Sequence, residues 1–233
     1  MQDPFVYPGT MTLKNRFGVR DQEVLEELEA AAYTNRRTQP VPSFTPDLDG
    51  LKAIHRHLFQ DIYEWAGKTR AERVTVDGET ITPPEHILTK GAVSFASTKL
   101  LGRHFEETML IYRVIIDDAQ KDGELTRQRW AELTADQIGT INTAHPFNEG
   151  NGRTMRRFIE LSAEHYGFRA RIIGGPEWVV ASHNAMISGH AGELAELIFN
   201  ELHEFGKQGS QLGAARQAGG SGWRKDGFGR DQG

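Results

Sequence analysis

A twelve-residue stretch, from His145 to Arg156, contains residue types and spacings that suit chemistry on phosphate groups. His145 is a candidate general base, because a histidine side chain exchanges its proton near neutral pH. Glu149 offers the hard carboxylate oxygen that Mg²⁺ binds beside phosphates. Arg153 and Arg156 stand three residues apart, so on one face of a helix their guanidinium groups can clamp phosphate oxygens.

Between the acid and the arginines, Gly150 and Gly152 flank Asn151. These residue types tolerate positive φ, so the run can turn its backbone N–H groups inward and form an anion-binding nest. A helix that begins at about Asn151 would add its own first-turn N–H groups and the positive end of its dipole. The whole stretch therefore predicts a site of phosphoryl or nucleotidyl transfer.

An alternative interpretation is a glycine-rich helix cap, whose arginines pair with Glu160 and Glu164. Such a cap accounts for the glycines and the arginines. A cap does not require a histidine at 145 or a glutamate at 149, so the transfer site is the favoured interpretation.

Two helices should hold this stretch, one ending at it and one beginning in it. Pro146 disfavours the α conformation at His145, so the preceding helix should end there, with Thr126 as its N-cap. The following helix should end at Gly167. Apolar or small residues at helical spacing are Trp130, Leu133, Ile138 and Ile141 before the stretch, and Met155, Phe158, Ile159, Ser162, Ala163 and Tyr166 after it.

The same periodicity predicts helices along most of the remaining chain. Their ranges are Asp21 to about Arg37, Leu48 to Gly67, Pro83 to about Gly102, 105 to 119, Pro176 to Ile187 and Gly192 to Phe205. In the first of these, Asp21 is the predicted N-cap. The run Val114-Ile115-Ile116 leaves a strand open as the alternative for 105 to 119. His55 and His57 would point apart in a helix, so we expect surface histidines rather than a metal pair.

One segment changes to a period of two residues. Val74, Val76 and Ile81 flank the dipeptide Asp77-Gly78, which is a strong signal for a hairpin turn. An exposed hairpin beside a catalytic loop can accept an incoming peptide as a further strand. On these residues alone, a plain surface hairpin is the alternative.

Composition limits the class of protein. With 233 residues, 38% hydrophobic and 25% charged, the chain is typical of a soluble globule with one large domain, or with one domain plus additional segments. A net charge of −5 gives no reason to expect nucleic-acid binding. The absence of cysteine excludes disulfides and thiolate chemistry and is compatible with a reducing cytoplasm. The first residues show no secretion signal, and the apolar run from Met109 to Ile116 is too short to span a membrane.

The end of the chain differs from the rest. Nine glycines occur between Gly206 and Gly233, with few apolar residues among them. Such a segment cannot bury enough apolar surface to fold. We therefore expect one domain over residues 1–205 and a disordered tail over 206–233.

The stretch from His145 to Arg156 resembles the signature of the Fic family, His-Pro-Phe-x-[Asp/Glu]-Gly-Asn-Gly-Arg-x-x-Arg, and matches all nine of its fixed positions. Tyr7-Pro8-Gly9-Thr10 with Leu13-Lys14-Asn15, and the segment from Tyr63 to Arg70, are also similar to Fic proteins. The resemblance covers about residues 5 to 205. It implies an all-α Fic fold, a helical bundle core with a small β-hairpin flap over the active site.

This resemblance also implies an activity, the transfer of AMP from ATP to a Tyr, Ser or Thr hydroxyl of a target protein. His145 would take the hydroxyl proton, Glu149 would hold Mg²⁺ across the α- and β-phosphates, and Phe147 would anchor the loop. The residues implied in nucleotide binding are Asn148, Gly150, Asn151, Gly152, Arg153 and Arg156. The implied target-docking flap consists of Val74, Thr75, Val76, Glu79, Thr80 and Ile81.

Gly152 favours AMP transfer within the family, because the Doc branch, which phosphorylates proteins, carries lysine there. The loop does not exclude transfer of another phosphate-containing group, such as UMP or phosphocholine. A nucleotide-binding regulator without catalysis is a further alternative, which the intact His145 and Glu149 disfavour.

Many Fic proteins carry an inhibitory helix with the pattern [Ser/Thr]-x-x-x-Glu-[Gly/Asn]. Here the only Ser or Thr four residues before a Glu is Thr75 before Glu79, and Thr80 follows it. A chain without this pattern resembles the toxin of a toxin–antitoxin pair, in which a small inhibitor protein supplies the glutamate. The resemblance implies a bacterial cytoplasmic location or, for a secreted effector, a host cell, with no nucleic-acid or membrane partner.

Overall fold

The computed structural model describes residues 3–83, 85, 87–90 and 93–204. Within this part, seven α-helices form the core: α1 (Gln22–Arg37), α2 (Leu48–Phe59), α3 (Arg103–Lys121), α4 (Arg127–Ala144), α5 (Asn151–His165), α6 (Pro176–Ser188) and α7 (Gly192–Asn200). The strands form three antiparallel pairs: β1 (Val74–Val76) with β2 (Glu79–Ile81), β3 (Ile87–Lys90) with β4 (Val93–Ser97), and β5 (Phe168–Ala170) with β6 (Leu202–Glu204). The all-α prediction is confirmed.

Helix α4 lies at the centre of the bundle. Its residues Trp130, Ile138 and Ile141 are buried, and the helix packs against α3, α5, α6 and α7. Helix α5 packs against α2 on its other side, so the loop between α4 and α5 lies between buried helices. This burial gives the loop a rigid support, which a site that positions reacting groups requires.

The predicted N-caps of two helices are present. The Asp21 side chain accepts hydrogen bonds from the backbone N–H groups of Glu23 and Val24, and the Thr126 hydroxyl accepts one from Arg129 at 3.1 Å. These contacts span two or three residues, so the local sequence is sufficient to form them. The strand alternative for residues 105 to 119 is wrong, because α3 covers the whole range.

Helix α2 ends at Phe59, eight residues before the predicted end at Gly67. The apolar pattern continues beyond Phe59 because the following turns also face the core, and Ile62 and Trp65 are buried there. Gly67 has φ of 82°, and a Cβ atom at this position would lie 2.7 Å from the Cβ of Arg56. The glycine therefore serves a close approach of this turn to α2 and does not end the helix.

The predicted helix from Pro83 to about Gly102 is wrong. In its place the chain forms the β3–β4 hairpin and a short 3₁₀ helix over Thr98–Leu101. A helix needs one buried stripe, but Ile87 is 60% exposed and Leu100 is 48% exposed. Short apolar runs of this kind fit both periods, and long-range contacts described below decide between them.

The β1–β2 hairpin is confirmed. Asp77 and Gly78 have φ of 51° and 78°, which is the mirror-image turn that matches the twist of the strands. Val76 pairs with Glu79, and the apolar residues Val74 and Val76 are buried below the hairpin.

The C-terminal part of the described chain differs from the prediction in two respects. The β5–β6 pair was not predicted, and α7 ends at Asn200 rather than at Phe205. The predicted tail, 206–233, lies outside the described residues. Among the described helices, none combines the length and the apolar character needed to cross a membrane.

Candidate active site

His145 is the first residue after α4 and has a left-handed backbone conformation, with φ of 45° and ψ of 62°. Its N–H still donates to the carbonyl of Ile141 at 2.9 Å, so the residue caps the helix. For a residue with a Cβ atom this conformation costs about 1 kcal/mol, and such strain is most often found where function requires it. Proline at 146 therefore ends the helix as expected, but it leaves His145 left-handed rather than extended.

The His145 side chain lies in a cleft of about 430 Å³ between α4, α5, α6 and β4. The residues lining this cleft are Val93, Phe95, Asn142, His145, Gly152, Met155, Arg156, Trp178, Val179, Ser182, His183 and Met186. The cleft thus brings together the candidate base, the start of α5 and one of the two arginines. Its walls are largely apolar, as is common in sites for small molecules.

Phe95 covers the candidate base. Its ring centroid lies 4.0 Å from that of His145, with 30° between the ring planes. Phe95 belongs to β4, so the hairpin beside His145 is β3–β4. The predicted flap, β1–β2, lies elsewhere: the N–H of Asp77 donates to Glu64 at 2.8 Å, and Val76 and Asp77 line a recess with residues of the N-terminal segment.

Arg70 connects the end of α4 to β4. Its guanidinium donates to the carbonyls of His145 at 2.9 Å and Ala144 at 3.0 Å, and also to the carbonyl of Ala96. Its side chain is buried, and burial lowers the pKa of Arg70 to about 10, so it remains cationic at neutral pH. A cation at the carbonyl end of α4 is favourable, because the helix dipole is negative there.

The loop from 146 to 150 is closed by the side chain of Asn151. Its Nδ2 donates to the carbonyl of Phe147 at 2.7 Å, and its Oδ1 accepts from the N–H of Phe147 at 3.0 Å. Phe147 is buried, as expected of an anchor. The Asn151 side chain is therefore used to shape the loop, and any contact of this residue with a nucleotide falls to its backbone. Asn148 lies at a bend of the loop and is half-buried.

His55 supports the loop from α2. Its ring stacks on Phe147 with centroids 3.9 Å apart, its Nδ1 accepts from the N–H of Gly67 at 2.8 Å, and its Nε2 lies 3.1 Å from the carbonyl of Glu149. Because Nδ1 accepts, Nε2 must carry the proton and donate it to Glu149. Burial, with a smaller effect of the Arg153 charge, lowers the pKa of His55 to about 3.

The prediction of surface histidines is wrong for both positions of the pair. His55 and His57 do point apart, but both are buried, since α2 has neighbours on two sides. His57 lies 2.9 Å from the carbonyl of Arg36 at the end of α1. Each ring therefore has a structural partner, and no cluster of three metal-binding side chains occurs in the described ranges.

We predict that His55 makes the fold sensitive to acid. Its folded pKa lies below the usual 6.5, so the unfolded chain binds one more proton between about pH 6.5 and about pH 3. The contribution of neutral His55 to the free energy of unfolding should be fully present above pH 6.5. The free energy of unfolding should then fall by several kcal/mol as the pH drops through this window. Urea unfolding at about pH 7 and about pH 5 measures this change.

The control is the pH dependence of a His55→Gln protein, which should be clearly flatter between these two pH values. His165→Gln, at an exposed histidine, should keep the wild-type slope. An unchanged slope in His55→Gln would contradict the prediction.

The start of α5 has the geometry of an anion site. Gly150 is its N-cap with φ of 79°, and its N–H donates to Glu149 Oε1 at 2.8 Å. The first-turn N–H groups of Asn151, Gly152 and Arg153 have no acceptor within a helix of this kind and point along its axis. The prediction that the helix begins at Asn151 is confirmed.

The two arginines of the motif have different surroundings. Arg153 pairs with Glu29 of α1, lies 3.5 Å from Glu149 Oε1, and places its guanidinium over the ring of Phe59 at 4.8 Å. Glu29 also accepts from the buried Tyr63 hydroxyl. These contacts hold Arg153 on the α1 side of the site, while it remains beside the metal-ligand candidate.

Arg156, in contrast, lines the cleft with His145 and Gly152. Burial lowers its pKa. A Cβ atom at Gly174 would lie 3.0 Å from the guanidinium carbon of Arg156, so the glycine makes room for it. The nearby Glu160 is paired instead with Arg157 and with Arg37 of α1. Of the two motif arginines, Arg156 is the one placed to meet a ligand in the cleft.

Four residues of this site were not assigned from the sequence: Glu29, His55, Arg70 and Phe95. Arg70 ends the segment from Tyr63 that resembles Fic proteins, which was a usable signal. The position of Phe95 beside His145 was not predicted, because the segment that contains it was wrongly predicted as a helix. Glu29 carries no local signal, because its partner Arg153 is 124 residues away.

A family model described as Fic/DOC family matches residues 45–163, from the turn before α2 into the last part of α5. The chain belongs to the Fic/DOC family. The matched region includes His145, Arg70 and both hairpins that precede α3.

Curated relatives in the family are adenylyltransferases by name. The chain is 32% identical to "Probable protein adenylyltransferase y4lH" of Sinorhizobium fredii, over 72% of this chain and 79% of that one. It is 33% identical to "Protein adenylyltransferase VbhT" of Bartonella schoenbuchensis, but over only 32% of that protein. The chain thus spans about a third of this longer relative.

Solved Fic structures share the fold. The BepC effector protein of Bartonella tribocorum, which contains bound AMPPNP, has a TM-score of 0.73 at 27% identity, over 87% of this chain and 97% of that one. The N-terminal Fic domain of a Bep effector protein of Bartonella quintana, with bound ADP, has a TM-score of 0.73 at 28% identity, over 86% and 94%.

Proposed function

We propose that this chain is a protein adenylyltransferase, which transfers AMP from ATP to a hydroxyl side chain of a target protein. One observation carries the proposal: His145, the start of α5 and Arg156 meet in one cleft. A candidate base, a set of backbone N–H groups and a candidate phosphate-binding cation therefore surround one volume, which supports the proposal. The named adenylyltransferase relatives and the nucleotide-bound Fic neighbours support the same activity.

In this mechanism the imidazole of His145 accepts the proton of the target hydroxyl. The hydroxyl oxygen forms a bond to the α-phosphorus of ATP, and the bond from that phosphorus to the bridging oxygen breaks. Pyrophosphate leaves with the electron pair of the broken bond. The N-terminus of α5 and Arg156 bind the phosphates and stabilise the charge on them, so catalysis consists of positioning and electrostatics.

We assign the nucleotide to the backbone of Gly150, Asn151 and Gly152, to Asn148 in the same loop, and to Arg156. Arg153 contributes at longer range, because Glu29 and the ring of Phe59 hold its guanidinium. Gly152 has room for a close phosphate, since even a Cβ atom there would first meet Arg156 at 3.6 Å.

Mg²⁺ fits this site as a cation shared with the substrate. Glu149 is 37% exposed and is the carboxylate nearest the start of α5. Mg²⁺ binds through one or two carboxylates plus substrate phosphates rather than through a complete protein cage, so Glu149 can serve as its protein ligand. When bound, the ion would neutralise charge on the phosphates.

The direct test is incubation with ATP labelled at the α-phosphate and a bacterial lysate or a host-cell lysate. Transfer of label to protein supports the proposal and also separates a bacterial target from a host target. Label at the γ-phosphate should not be transferred. If the wild-type protein binds ATP but labels no protein in either lysate, it is instead a nucleotide-binding regulator.

We further propose that the target segment docks as an added strand on a hairpin beside His145. The predicted surface, Val74 to Ile81, faces the N-terminal segment, whereas β4 carries Phe95 against the base. The geometry favours β3–β4 as the docking strand pair. Peptide addition uses main-chain hydrogen bonds, so a proline in the docking hairpin should weaken it.

Two matched proline variants decide between the hairpins. Thr75→Pro and Ser94→Pro each alter an exposed position within a strand. We expect Ser94→Pro to lower protein modification at least about tenfold more than it lowers ATP binding, and Thr75→Pro to leave the ratio nearly unchanged. The reverse result would return the docking role to Val74, Thr75, Val76, Glu79, Thr80 and Ile81.

We also propose that a small inhibitor protein restrains the enzyme, in the manner of an antitoxin. A carboxylate from that partner would pair with Arg156, the motif arginine that faces the cleft. Expression in a bacterium without the partner should slow growth, and His145→Ala should relieve it. Harmless expression of an active chain would favour an effector that acts in a host cell over an enzyme restrained in the bacterial cytoplasm.

A further inference from the structure

Arg70 is a buried cation whose partners are all backbone carbonyls in the described part of the chain. Its side chain is 1% exposed. The guanidinium donates to Ala144, His145 and Ala96, and the Arg70 N–H donates to the carbonyl of Pro146 at 2.7 Å. One residue therefore holds three consecutive carbonyls of the catalytic loop, those of 144, 145 and 146.

These contacts fix the backbone on both sides of His145. The carbonyl of Ala144 belongs to the peptide plane that precedes the His145 Cα, and the carbonyl of His145 belongs to the plane that follows it. Two fixed planes determine φ and ψ, and hence the direction in which the side chain leaves the backbone. This matters here because His145 has φ of 45°, a conformation in which a helix usually ends with glycine.

The third side-chain contact reaches the cover of the base. Ala96, whose carbonyl accepts this bond, is the residue after Phe95 in β4, and the Phe95 ring lies over that of His145 with centroids 4.0 Å apart. The same guanidinium thus holds the backbone of the base and the strand that carries its covering ring. Arg70 lies below both and does not line the cleft.

We propose that Arg70 is a positioning residue for AMP transfer, which holds His145 and the β4 strand in one fixed arrangement. The inference rests on the proposed function, since it takes His145 as the base. Arg70 has no contact with the first turn of α5 among its described hydrogen bonds, so it should affect the chemical step and leave the nucleotide cradle intact.

The kinetic test is Arg70→Lys, with Arg73→Lys as the matched control at an exposed arginine of the same segment. A lysine ammonium group has all its N–H donors on one nitrogen, so it cannot reproduce the planar guanidinium that bridges carbonyls on two elements. We expect kcat of the Arg70 variant to fall at least about tenfold while KM for ATP changes less than about twofold. The control should match the wild type. Equal losses in kcat and in ATP affinity, or no loss, would overturn the proposal.

Hydrogen exchange gives a second measurement that does not depend on activity. The amide of His145 donates to Ile141, and the amide of Thr154 in α5 donates to Gly150, so the two report on the two helices. Arg70→Lys should accelerate exchange at His145 clearly more than at Thr154. An equal acceleration at both would show a residue of general stability only and reject the positioning role.

The two measurements also separate this inference from the proposed function. A wild-type protein without any AMP transfer contradicts the proposed function, and the exchange comparison still decides whether Arg70 holds His145. An active wild type with unchanged kcat in Arg70→Lys contradicts the inference alone.

Discussion

His145→Ala should lower the rate of AMP transfer by about 10²–10⁴-fold and leave the affinity for ATP within about twofold. The imidazole acts only at the chemical step, whereas the nucleotide is bound by α5, Arg156 and the loop. The fold should survive, because His145 is half-buried and its backbone is held by Arg70 whatever side chain it carries. Single-turnover transfer from labelled ATP and calorimetric ATP binding measure the two quantities.

The best control is His183→Ala, because His183 is a second histidine in the same cleft. It should keep most of the transfer rate. A His145→Ala protein with a nearly normal rate would remove His145 from the mechanism. Loss of transfer in His183→Ala but not in His145→Ala would indicate that His183 of α6 is the base.

Gly150→Ala should destabilise the protein by about 3 kcal/mol and abolish nucleotide binding. A Cβ atom at Gly150 would lie 2.4 Å from the ring of Phe59, and the residue has φ of 79°, so the substitution is strained both by contact and by conformation. The loop would have to shift, and with it the first turn of α5 that forms the anion site.

Gly152→Ala is the matched control two residues later. It lies within α5, and its new Cβ atom would meet only Arg156, at 3.6 Å. Its free energy of unfolding should stay within about 1 kcal/mol of the wild type, since alanine is favoured over glycine in a helix. Urea unfolding compares the stability of the two proteins. ADP binding is compared between Gly150→Ala and the wild type, because Gly152 is itself assigned to the nucleotide site. A larger loss of stability in Gly152→Ala than in Gly150→Ala would contradict this account of the loop.

The central helices and the motif could be predicted because their signals are local. Thr126 caps α4 through a contact three residues away, Gly150 permits a positive φ by its own lack of a side chain, and Asp77-Gly78 specifies its turn. The nine fixed positions of the motif lie within twelve residues, so their spacing alone indicated a phosphate site and its family.

The segment from Pro83 to Gly102 was mispredicted because its structure depends on distant partners. The carbonyl of Ala96 is bonded by Arg70, which is 26 residues away, and Phe95 packs on His145. A strand leaves that carbonyl available to a side chain from another element, whereas a helix would use it internally.

By itself, the sequence determined which residue types stand in the proposed site and where the helices around them begin, because capping, turn formation and motif spacing act over a few residues. Only the tertiary structure decided what surrounds those residues. His55 bonds to Glu149 across 94 residues, Arg70 to His145 across 75, and Arg153 to Glu29 across 124. Local sequence carries no signal for such contacts, since they form only when packing of the helices brings distant groups into a low-dielectric interior where each polar atom must find a partner.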